Sequence, residues 1–178
     1  MAGGLYLSSL IRLIKGEAPE IGRLRMQQIL TRVAITQDEI ERYCRFNIDD
    51  YARNLIYSDQ NTEIFLMCWK SGHRSLIHDH GESLGGVKIL RGILTETLFE
   101  RAPNGMIKAV SSADYHSSDI QIEEPATIHQ VSNLQPGASH AISLHIYVPP
   151  LSKMNIYTLH KPQSKPVSAE VYNFGLGV

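Results

Sequence analysis

From Tyr51 onward the chain is a succession of short runs rich in β-branched and aromatic residues, cut by turn-forming sequence. The runs cover residues 54–57, 63–70, 86–90, 93–100, 107–110, 120–122, 127–132, 141–148 and 155–158. Between them stand turn-prone segments such as Asp59-Gln60-Asn61, Arg91-Gly92, Pro103-Asn104-Gly105 and Gln135-Pro136-Gly137. Strands this closely spaced, with such turns, predict a mainly β fold: a small antiparallel barrel or sandwich. Pro149-Pro150 breaks the last core strand, and either of its X–Pro bonds can be cis.

The first fifty residues read differently. Ser8 or Ser9 is placed to cap a short helix that Gly16 stops. Pro19 then opens a second, with Ile21, Leu24, Ile29, Leu30 and Val33 on one apolar stripe. Thr36-Gln37-Asp38-Glu39 fits a capping box for a third helix running to about Cys44. This arm is expected to pack outside the barrel. At 178 residues the chain fits one domain: an arm over 1–50, a core over 51–160 and an extended tail over 161–178 carrying Pro162 and Pro166.

Composition excludes several classes of function. A formal net charge of −1 argues against nucleic-acid or membrane-surface binding. No apolar run approaches the length of a transmembrane span. Ser8, Ser9 and Arg12 interrupt the apolar N-terminus and no basic region precedes it, so a signal peptide is not expected. The two cysteines, Cys44 and Cys68, are too few for a disulfide framework and read as buried thiols in a reducing cytoplasm.

His78 and His80 carry the chemistry. Residues two apart on a strand project from the same face, so both imidazoles can meet one metal ion while Asp79 turns away. The surrounding spacing is Gly72-x5-His78-x-His80-x4-Gly85-x6-Gly92, and a second cluster brings His129 followed by Asn133. Three neutral imidazoles leave a divalent ion its full charge, which favours an anionic ligand such as a thiolate, and leave coordination positions open. Imidazole suits zinc, copper, nickel or iron alike. Downstream, Ser143, His145 and Tyr147 share one strand face, opposite Leu144 and Ile146, and can form a hydrogen-bonded relay ending at the tyrosine hydroxyl. Arg53 can clamp a carboxylate bidentately; the plainer alternative is a surface salt bridge.

The two histidine clusters resemble the paired motifs of cupins, with Gly85 where a glutamate usually stands and Glu82 nearby but out of register. With Y-x-R-N at Tyr51 to Asn54, Cys68-Trp69, S-L-H-x-Y at Ser143 to Tyr147 and the following Pro149-Pro150, the chain resembles the cysteine dioxygenase family of cupins. That resemblance implies a cupin barrel with N-terminal helices outside. It implies Fe(II) on His78, His80 and His129, and oxidation of L-cysteine by O2 to cysteine sulfinic acid. Arg53 and Tyr51 would bind substrate, Tyr147 would act at the reacting groups, and His145 and Ser143 would orient it. The enzyme is expected to be a cytoplasmic monomer.

One departure stands out: mammalian-type members carry at the Gly85 position a cysteine that crosslinks to the tyrosine, so Tyr147 here is a free phenol. Family members acting on 3-mercaptopropionate tend to carry glutamine at the clamp, so Arg53 favours cysteine over that alternative. A different metal-dependent cupin reaction, or a non-catalytic binding module, are the competing readings. His73, His116, His140 and His160 show no ligand spacing, Met154 is either pocket lining or core filler, and Cys68 is expected to be inert packing.

Overall fold

The computed structural model describes residues 4–168; residues 169–178 of the expected tail lie outside it. Three helices, α1 (Leu7–Glu17), α2 (Arg23–Arg32) and α3 (Gln37–Tyr43), precede the strands. These are β1 (Ala52–Ser58), β2 (Glu63–Trp69), β3 (Ile77–His78), β4 (Leu84–Arg91), β5 (Ile93–Arg101), β6 (Ile107–His116), β7 (Ile120–Glu123), β8 (Ile128–Ser132), β9 (Ala141–Val148), β10 (Lys153–Thr158) and β11 (Lys161–Ser168). They form a five-stranded sheet in the order β1-β2-β9-β4-β7 and a six-stranded sheet in the order β11-β10-β3-β8-β5-β6. The paired strands run antiparallel.

Strand β9 shows how the layers divide, because it is buried along its whole length. Leu144, Ile146 and Val148 face outward and pack with Leu10, Ile14, Met26, Ile29 and Leu30 of the helical arm. Ala141 and Tyr147 face the other way, into a second core with Phe65, Met67, Trp69, Val87 and Met154 between the sheets. The outer face of this sheet is therefore apolar because helices cover it, which leaves its inner face free to carry polar residues. Gly86 permits the helical contact: a Cβ there would stand 2.6 Å from Met26 Cγ. Lys88 Nζ donates to the Leu30 and Val33 carbonyls at 3.0 and 2.8 Å, closing the C-terminal end of α2.

The helix ends depart from expectation in an informative way. Neither Ser8 nor Ser9 caps α1; Tyr6 occupies that position with no side-chain cap, and the helix passes through Gly16. The missing cap comes from elsewhere in the sequence, since the Leu7 N–H donates to Glu39 Oε1 at 3.0 Å. The capping box of Thr36 and Glu39 is present at the start of α3. Pro19 lies outside α2, which begins after Gly22. On that helix Leu24 is 74% exposed and Met26, absent from the expected stripe, is fully buried. The expected run over 107–110 extends to His116, as a largely exposed hairpin partner of β5 at the sheet edge. The tail pairs with β10 as β11, an edge position where Pro162 and Pro166 are tolerated. Val148–Pro149 is cis.

Candidate metal centre

His78 ends β3 and stands directly opposite His129 on β8. His80 follows two residues on in extended chain, so the three imidazoles converge, with donor atoms of all three within 4.8 Å of one another. Their ring centroids are separated by 4.6, 4.9 and 5.3 Å. Asp79 does turn away: it accepts from the Asn155 backbone N–H at 3.0 Å and from the Tyr157 hydroxyl at 2.6 Å, fastening β10 to the end of β3. Asn133, the polar residue after His129, is structural, donating to the Trp69 and Ser139 carbonyls.

The hydrogen bonds behind the rings select a metal-competent tautomer. His78 Nδ1–H donates to the Leu76 carbonyl at 2.9 Å, which leaves the Nε2 lone pair free. His129 Nδ1–H donates to Glu96 Oε1 at 2.7 Å, while Gln121 donates to Glu96 Oε2 at 2.5 Å, a carboxylate–imidazole arrangement typical of metal sites. His129 Nε2 then points at His80 Nε2 from 3.2 Å. Burial pushes His78 down to about 3 and holds His80 well below the ordinary histidine value, so both are neutral at pH 7. On His129, burial also opposes the charged form, but Glu123 and the Glu96 hydrogen bond outweigh it and the value rises. Three imidazoles whose donor atoms cluster this closely, two of them held neutral, fit a divalent cation.

The histidines open into a cavity of about 140 Å³, lined also by Tyr51, Arg53, Trp69, Glu123, His145, Tyr147 and Met154. Arg53 is 8% exposed, and its guanidinium lies 4.6 Å above the Phe65 ring, so the surface salt bridge is not its role. Its Nε has no hydrogen-bond partner. Tyr51 stacks on Trp69 at 4.3 Å, forming a flat wall beside it.

The polar stripe on β9 is a connected chain. Trp69 Nε1–H donates to Ser143 Oγ at 3.0 Å, Ser143 Oγ lies 2.8 Å from His145 Nε2, and His145 Nδ1 lies 3.2 Å from the Tyr147 oxygen. Indole can only donate. Each group is satisfied when Ser143 donates to His145 Nε2 and His145 Nδ1–H donates to Tyr147, which leaves the phenolic proton for the cavity. The reverse order would leave the Ser143 proton without an acceptor among these groups. Burial pushes His145 down to about 3 and Tyr147 well above the ordinary phenol value, so both are neutral. Ser143 itself sits behind the cavity wall.

The structure thus brings together the expected residues and adds Glu96, Gln121 and Glu123. Leu94 and Glu96 are both buried and stand two apart on one strand, so strand parity was the available signal for Glu96. Of the remaining histidines, His73 Nδ1 accepts the Lys70 N–H and His140 packs against Phe46. Cys68 Sγ lies 3.5 Å from Cys44 Sγ, both as free thiols.

Comparison with known proteins agrees with this architecture. The chain superposes on a Klebsiella pneumoniae protein with a double-stranded β-helix domain at a TM-score of 0.52, with 14% identity, covering 67% of this chain and 94% of that one. It superposes on a sugar phosphate isomerase from a cupin superfamily of Silicibacter pomeroyi at 0.51, with 15% identity over 68% and 73% of the two chains. Sequence comparison is more specific. The rat and human cysteine dioxygenases type 1 are 31% and 30% identical over 159 residues, covering 85% of this chain and 78% of theirs. The family description "Cysteine dioxygenase type I" matches residues 9–160, and the chain belongs to that family.

Proposed function

We propose that the protein is a cysteine dioxygenase, with Fe(II) held by His78, His80 and His129, converting L-cysteine and O2 to cysteine sulfinic acid. The observation that carries this reading is the convergence of three imidazoles on a small cavity that Arg53 and Tyr147 also line. When bound, the metal lowers the thiol pKa and brings sulfur and dioxygen together. Both oxygen atoms end on sulfur, so thiol and O2 alone balance the sulfinic acid product.

The rest of the chemistry belongs to the chain. Arg53 pairs with the substrate carboxylate; Phe65 beneath it limits the positions the guanidinium can take, so less conformational freedom is lost on binding. Tyr51 and Trp69 wall the substrate side of the cavity. Tyr147 donates its proton toward the bound groups, and His145 and Ser143 fix its direction. Glu96 and Gln121 hold His129 in register. The free thiols of Cys44 and Cys68 agree with a cytoplasmic setting, where we expect a monomer.

Oxygen uptake after anaerobic loading with Fe(II) tests this. With cysteine, uptake and sulfinate should appear one for one, 3-mercaptopropionate should be turned over more slowly, and cysteamine, lacking a carboxylate, slowest of all. Arg53→Ala should raise KM for cysteine at least about tenfold with a smaller change in kcat. Equal turnover of cysteamine, or an unchanged KM, removes the carboxylate role. No sulfinate with any thiol rejects the reading.

A further inference from the structure

The chain has two cysteines, 24 residues apart in sequence, and the fold brings them together. Cys44 stands at the C-terminal end of α3 and Cys68 on β2, with their sulfurs 3.5 Å apart as free thiols. A disulfide bond spans about 2.05 Å, so a movement of about 1.5 Å would close it. The two thiols are unequal. Cys68 is fully buried, whereas Cys44 is half-buried at a helix end and open to reagents from solvent. Burial pushes the Cys68 thiol up, reinforced by Cys44 beside it, while the Arg45 backbone and the Asn54 amide act in the opposite direction. Cys44 is therefore the thiol that attacks first, and Cys68 the one that resolves.

The surroundings decide which side yields. Cys68 stands opposite Ala52 on β1 and Ile142 on β9, so β2 is held along both edges. The helix α3 has only seven residues, and its end is the side free to move. Asn54 Nδ2 lies 3.5 Å from Cys68 Sγ and donates to the Arg45 and Leu66 carbonyls, which joins the chain after α3 to the same sulfur. That stretch of chain brings Tyr51 to the cavity, and the residue after Cys68 is Trp69, on which Tyr51 stacks.

We propose that Cys44 and Cys68 form a reversible thiol–disulfide site that takes a low-molecular-mass disulfide as its oxidant and, once closed, ties the end of α3 to β2 behind the Tyr51–Trp69 wall. The Cys44 thiolate attacks one sulfur of the oxidant RSSR, forming a mixed disulfide and releasing RS−. Cys68 loses its proton, attacks the Cys44 sulfur and expels the second RS−. The two protein thiols lose two electrons and two protons, and one RSSR becomes two RSH. In reducing surroundings the pair rests as thiols, the state in which a transient intracellular disulfide spends most of its time. Neither cysteine lines the cavity, so this site and the proposed reaction stand separately.

Cystine serves as the probe, because it is a small disulfide of the substrate class. The full chain is incubated with it anaerobically at about pH 8 for hours, since the resolving thiol ionises reluctantly. By mass, wild type should lose two hydrogen atoms without growing in chain number, and dithiothreitol should restore them. The oxidised form should melt roughly 5–10 °C higher, the gain expected from closing a loop of this length. Cys68→Ala should stop at one cysteinyl adduct on Cys44, and Cys44→Ser should take up none. Wild type that keeps both thiols, retains cysteinyl adducts or links two chains overturns the proposal. An oxidised form that melts lower overturns it as well, because the bond then forms only by distorting the fold.

Discussion

His145 works only as an uncharged imidazole, because it must accept from Ser143 through one nitrogen and donate to Tyr147 through the other. The fold enforces this by burying it, which pushes its pKa down to about 3 from an ordinary 6.5. In the unfolded chain the ring takes a proton near 6.5, while the folded ring refuses it until far lower pH. Stability from this group is therefore complete above 6.5 and drains away as pH falls toward 3, at about 1.4 kcal/mol per pH unit. Between pH 6.5 and 5 that amounts to about 2 kcal/mol. Urea denaturation of the metal-free protein should show this loss, and His145→Gln, neutral throughout, should lose correspondingly less over the same interval. Parallel pH profiles for the two proteins would mean that His145 is not held neutral by the fold. The ligand histidines and this stripe were legible because their spacing is local and a strand repeats every two residues. Glu123 was not, because β7 is inverted: Ile120 and Ile122 pack toward the helices, and Gln121 and Glu123 point inward. Reading apolar residues as the inward ones places that carboxylate in solvent.

At the scale of elements, the same limit appears wherever a partner is distant in sequence. The capping box of α3 was readable because Thr36 and Glu39 are three residues apart, whereas the cap on α1 was not. Glu39 receives the Thr36 N–H through Oε2 at 2.9 Å and the Leu7 N–H through Oε1 at 3.0 Å, so one side chain closes two helices. Thr36→Ala removes one contribution and should cost about 1 kcal/mol, the ordinary value for an N-cap. Glu39→Ala leaves two helix ends open and should cost roughly twice that. Thermal or urea denaturation of the two variants distinguishes the cases; equal losses would show that the Leu7 contact contributes nothing. Strand identities fared better than strand ends, because β-branched composition is local. The extension of β6 to His116 was hidden, since its exposed residues carry no alternation to read.

For the whole molecule, the arrangement of layers puts the histidines where a metal ties distant parts of the chain together. His78 and His80 leave the end of β3, and His129 arrives on β8 after the whole β4-to-β7 segment has crossed both sheets. A cation bound at these residues is bound only by the folded chain, so its affinity adds to stability by mass action. At a free metal concentration one hundred times the dissociation constant the gain is about 2.7 kcal/mol. For a chain of this size that corresponds to a melting temperature higher by roughly 5–10 °C. The gain should vanish on adding chelator and should be largely lost in His129→Ala. Because the helical core on the outer face of the five-stranded sheet does not involve these residues, metal-free protein should still unfold in one cooperative transition. A melting temperature indifferent to Fe(II) in wild type would mean that the cation does not bridge these segments. A metal-free chain without a cooperative transition would mean that the metal is part of the fold itself, and that the packing of helices on the sheet is insufficient to hold the barrel closed.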